Sequence, residues 1–180
     1  MAAEAATDPL ERGAEAVSTG DWAGARTAFE AALAEAPSAE AEEGLGRAVW
    51  WLHDFEGAVT AMERAYAAYR AGGDTKAAAR AALWLAREHA AAFGNRAASN
   101  GWHARAEGLL ADAEPGPETG WLAIARAERA VAPAEVAEHA AHALELARRH
   151  GSADLEAAAL VRSGYAAVAL GDVEGGLARV

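Results

Sequence analysis

Cysteine is absent from this 180-residue chain, and lysine occurs only once, at Lys76. The first absence excludes disulfides and thiolate metal sites and suits a reducing compartment. The second leaves arginine to supply the rest of the 16 basic residues, which 27 acidic residues outnumber for a net charge of -11. A surface of that sign repels phosphate backbones, so direct nucleic-acid binding by this segment is not expected. Long apolar runs are also missing, because arginine and acidic residues interrupt each one before it could span a bilayer. The start, "MAAEAATDPLERG", lacks the charged-then-apolar order of a signal peptide, and the expectation is a cytoplasmic protein with no membrane partner. Strand signals are scarce as well. No period-two run of Val, Ile and Thr occurs, and the apolar residues recur at helical spacing instead, which predicts an all-α fold.

Hydrophobic residues make up 53% of the chain, much of it alanine. Alanine buries little area, so close helix approach and the few large side chains, including six Trp, must supply the core. Turn signals divide the chain regularly. Gly20-Asp21-Trp22 is echoed by His53-Asp54-Phe55, by Gly94-Asn95 and by Gly171-Asp172-Val173. Longer breaks alternate with these at Pro37, Gly72-Gly73-Asp74, residues 114–117 and Gly151-Ser152. The short turns recur at about 33 and then roughly 40 residues, a period that signals stacked helical hairpins.

Within the hairpins, Ala25, Phe29, Ala32 and Leu33 share a helix face, and Ala58, Met62, Ala65 and Tyr66 repeat it one period on. Small residues there let the second helix lie close to the first, and the large one fills the gap between successive hairpins. Gly13, Gly46 and Gly164 each stand seven residues before a turn. A helical glycine costs roughly 1 kcal/mol against alanine, so three at one register predict close backbone packing.

The helix glycine, the Gly-Asp-aromatic turn, then Ala, aromatic, Ala-Leu and a terminal proline in residues 13–37 resemble the tetratricopeptide repeat. Residues 39–71 match it with Leu45-Gly46 included; residues 75–113 and 118–150 are longer, divergent copies, and residues 153–180 begin a fifth. The resemblance implies one domain over 1–180, a right-handed α-solenoid of about five hairpins at about 9–37, 38–72, 75–113, 118–150 and 153–180, the last incomplete. The stretches "LERGAEAVSTGDWAGARTAFEAALAEAP" and "EGLGRAVWWLHDFEGAVTAMERAYAAYRAGGD", with "SNGWHARAEGLL" and "GPETGWLAIARAE", are similar to the repeat region of LuxR-type transcriptional regulators. In that group the repeats precede a helix-turn-helix domain, for which residues up to Val180 leave no room. The implied function is a noncatalytic interaction or ligand-sensing domain of such a regulator, or of a free-standing relative.

Catalytic motifs are not found. "GLG" at 44–46 lies within a predicted helix, "GGDTK" around Lys76 is no phosphate loop, and no serine sits in a Gly-x-Ser-x-Gly elbow. Glu135, His139 and His142 share a helix face, yet a metal site there would lack partners from other helices, so no metal or cofactor is expected. Trp22 is expected to staple the first hairpin. Trp50 and Trp51 point about 100° apart on a helix, so one must leave the core crevice. Family resemblance places Glu43, Arg47, Trp50 and Trp51 on the concave, ligand-facing side, with Trp84, Arg87 and Glu88 on the next inward helix. Aromatic and arginine residues are frequent binding hot spots, and the partner implied is a protein or peptide segment, or a small effector. The alternative reading of the same residues is that they fill the inside of a tight superhelix. Clamping of acidic chaperone tails is not expected, because Leu10, Ala14 and Glu43 stand where the clamp needs Lys and Asn. Two other readings are a self-associating scaffold, with a homodimer formed through the C-terminal hairpin, and a small helical metal protein or enzyme.

Overall fold

The computed structural model describes residues 8–179, and all regular structure among them is helical. Ten helices follow one another: α1 (Pro9–Thr19), α2 (Trp22–Glu35), α3 (Ala39–Trp51), α4 (Phe55–Gly72), α5 (Thr75–Ala91), α6 (Arg96–Leu110), α7 (Pro117–Arg129), α8 (Pro133–His150), α9 (Ala153–Ala169) and α10 (Val173–Leu177). Within these, α1 packs with α2, α3 with α4, α7 with α8 and α9 with α10 as successive pairs. By internal contacts the chain divides between Ser99 and Asn100, within α6, into two compact units.

Side-chain capping explains where several helices start. Asp21, Asp54 and Asp172 stand just before α2, α4 and α10, and each Oδ1 accepts a hydrogen bond from the amide of Gly24, Gly57 or Gly175 at 2.9–3.0 Å. This satisfies one of the amides a helix N-terminus leaves without a partner. The residue before each aspartate has a left-handed backbone: φ is 76° at Gly20, 66° at His53 and 99° at Gly171. The three turns are therefore the same object in conformation as well as in sequence. Asp74 and Asn95 cap α5 and α6 similarly, through Ala77 and Ala98. The turn between α7 and α8 is different. No side chain caps α8; Pro133 occupies its first turn, where a missing N–H removes nothing from the helix.

In the first unit α1 packs on α2, α2 on α3, α3 on α4 and α4 on α5, and α1 also reaches α3. Ala25, Phe29, Ala41, Leu45, Ala48, Val49, Ala58 and Ala61 form the core, with Leu10, Val17, Trp50 and Trp84 against it. Phe29 lies between Gly13 of α1 and Gly44 of α3. A Cβ at either glycine would approach its ring to 2.5 Å or 2.3 Å. The large residue on α2 thus fills the space between successive hairpins, as its register predicts, and two glycines make that space. Gly46 does the same for α4, whose Ala58 carbonyl would stand 3.2 Å from an added Cβ.

In the second unit, α7 packs on α8, α8 on α9 and α9 on α10, and α7 also reaches α9. Leu146 and Leu155 are fully buried there, and a Cβ at Gly120 of α7 would come within 2.4 Å of Leu155 of α9. The buried Gly164 of α9 takes α10 at close range, its carbonyl 2.7 Å from where a Gly176 Cβ would stand. Both units apply one rule: a glycine on one helix opposite a large side chain or backbone on another.

Candidate ligand-binding face

Tryptophans 50 and 51 end α3 and part company as their angular separation requires. Trp50 is half-buried against the first core, while Trp51 is 52% exposed. The exposed ring is held in place by aromatic neighbours. Trp22 stacks on it with centroids 5.1 Å apart and planes 13° apart, and Trp50 meets it edge-on at 5.0 Å. Trp22 thereby joins α2 to α3, the junction between the first two hairpins; the sequence reading gave it a role inside the first.

Two buried carboxylates organise the rest of the face. Glu43 of α3 accepts hydrogen bonds from Arg80 of α5 at 2.8 and 3.1 Å, from Arg47 at 2.9 Å and from the Tyr69 hydroxyl of α4 at 2.8 Å. Burial pushes its carboxyl pKa up, but the hydrogen bond to Arg80 and the charges of Arg47 and Arg80 outweigh it and hold the group below the ordinary value. Burial and the adjoining carboxylate raise the Tyr69 hydroxyl in turn, so it stays a donor. Glu88 of α5 accepts from the indole Nε1 of Trp50 at 2.8 Å and from Arg87 at 2.9 Å.

The arginine side chains remain open to solvent, at 49% exposure for Arg47 and 56% for Arg87. Of the expected groove residues, Trp51, Arg47 and Arg87 therefore present area to a ligand. Glu43 is buried with all its partners in place, Trp50 is tied to Glu88, and Trp84 is half-buried against the core. Glu43 and Trp50 act by positioning the exposed groups.

Sequence reasoning missed Arg80 and Tyr69. A signal for the first was present, because Glu43–Arg80 and Trp50–Glu88 are separated by 37 and 38 residues, about one repeat. Also unforeseen was His103 of α6, which is buried with its Nε2 unpartnered. Burial lowers its pKa, opposed by Glu107 and assisted by Arg129 and Arg126. Among the described residues no three His, Asp or Glu side chains gather closely enough to hold a metal, and Glu135, His139 and His142 form no such group. Nor is any helix among them long and apolar enough to cross a membrane. Comparison with known proteins finds no matching family model and no curated relative.

Proposed function

We propose that the chain is a noncatalytic tetratricopeptide-type domain that captures a protein or peptide segment, or a small effector, on the face shared by α3 and α5. The supporting observation is the coupling of these two helices, one repeat apart, by Arg80–Glu43 and Trp50–Glu88 beneath the exposed Trp51, Arg47 and Arg87. A rigid aromatic with flanking guanidiniums gives binding energy at low entropic cost, since its rotamer is fixed before a partner arrives. The sequence resemblance makes this the regulatory part of a cytoplasmic LuxR-type regulator or a free-standing relative, with hairpins in a right-handed solenoid. The net charge of -11 favours a partner other than nucleic acid.

The test is selection of a random peptide library on the immobilised chain, followed by titration of enriched peptides against Trp51→Ala and Arg47→Ala variants. Loss of about fivefold or more, near 1 kcal/mol, is expected for Trp51→Ala. Peptides that bind both variants as tightly as the parent would remove this face from the proposal. For the regulator reading, the coding sequence beyond codon 180 decides: a helix-turn-helix there supports it, and an immediate stop codon leaves the free-standing relative.

A further inference from the structure

His103 lies in the second unit, on α6, and is only 7% exposed. Its Nε2 is sealed from solvent with no hydrogen-bond partner, and its Nδ1 stands 3.8 Å from Oε1 of Glu107, one turn on, beyond hydrogen-bond reach. That oxygen is engaged elsewhere. It accepts from Arg126 of α7 through both Nε and Nη2, at 3.0 and 2.8 Å. The charged groups acting on the ring are Glu107 from its own helix and Arg126 and Arg129 from α7.

A neutral imidazole brings one N–H and one lone pair to this place, whereas an imidazolium brings two N–H donors and a charge. Its Nε2–H would be a buried donor without an acceptor, and its charge would meet the guanidiniums of α7. Two responses relieve this. Either the ring turns out to water, or Glu107 leaves Arg126 to pair with it. Both disturb the ion pair and the packing that hold α6 to α7. Burial first, then the charges of Arg129 and Arg126, accordingly hold the His103 pKa below the ordinary 6.5, against the opposing pull of Glu107.

We propose that His103 is an acid-sensitive latch in the second unit: when its buried ring takes up a proton, the Glu107–Arg126 fork releases and α6 loosens from α7. The sign follows from linkage. With the folded value below the unfolded 6.5, the neutral ring's contribution to stability is fully present above pH 6.5 and is lost as pH falls from there toward the folded value. Glu43 in the first unit responds only lower, below 4.5. Mild acid therefore acts on the second unit first.

Nuclear magnetic resonance titration of the 180-residue chain, with the His103 ring assigned through the α6 backbone, should give a midpoint below 6.5. Glu107→Gln should move that midpoint down and Arg129→Gln should move it up, shifts that a merely structural histidine would not show. In urea unfolding between about pH 7 and pH 5, the parent's unfolding constant should rise at least about threefold more than that of His103→Gln. His142→Gln, at an exposed position of α8, is the control for losing a histidine. Amide exchange in residues 100–110 and in α7, corrected for the intrinsic effect of pH, should quicken at the lower pH in the parent and not in His103→Gln. A midpoint at or above 6.5, parallel stability curves, or exchange in α6 and α7 that ignores pH would each overturn the proposal.

Discussion

At Glu43 the decisive fact is that one carboxylate serves three donors from three helices. Removing a buried ion-pair partner costs about 3–5 kcal/mol, but the Arg47 and Arg80 side chains are 49% and 39% exposed, and water takes over part of their solvation. Glu43→Gln is therefore expected to destabilise the first unit by about 2 kcal/mol in a urea titration at neutral pH. The pH dependence has a definite sign. The folded-state pKa lies below the ordinary 4.5, so the contribution of Glu43 is fully present above that value and is lost as pH falls through the folded value. Between about pH 5 and pH 3 the parent should lose more stability than Glu43→Gln does, and parallel curves would contradict the assignment. Sequence reasoning passed over this node. The glutamate looked like a solvated groove residue because its main partner, Arg80, stands 37 positions away on α5, and the longer third hairpin hid the register that joins them.

Turns were the most legible elements, and the physical reason is local. An aspartate cap, a left-handed residue before it and a helix after it are specified within about five residues, so no distant contact is needed to recognise them. The turn at Ala130–Ala132 went unrecognised because it carries neither Asp nor Gly and relies on Pro133. His53 tests the equivalence of the three aspartate turns. It is the one described non-glycine residue with positive φ, and it occupies the place that glycine fills before Asp21 and Asp172. Since β-carbon sterics disfavour that conformation, His53→Gly should stabilise by about 0.5–1 kcal/mol, and Gly20→Ala should destabilise by about 1 kcal/mol. Equal and opposite failure of both, read from thermal melts at one pH, would mean that the turns differ in their energetics.

Over the whole molecule, the recurring device is a glycine that admits a large residue from another helix. Gly13 and Gly44 receive Phe29, Gly120 receives Leu155, and Gly46 and Gly164 let a partner helix approach its backbone closely. The all-helical class and the packing role of Phe29 were legible because each rests on periodicity along one helix. Gly44 and Gly120 were not singled out, since a glycine opposite a bulky residue shows only when both helices are in place.

Small residues at repeated places let hairpins nest around large ones. The most direct measurement is a double-mutant cycle of Gly44→Ala with Phe29→Leu, by urea unfolding of the 180-residue chain. Gly44→Ala alone should cost about 1–3 kcal/mol, because the new methyl meets the Phe29 ring, and Phe29→Leu should open room for it. A favourable coupling of at least about 1 kcal/mol is expected. Two substitutions that add independently, within about 0.5 kcal/mol, would contradict the nesting of α1, α2 and α3 on which the account is built.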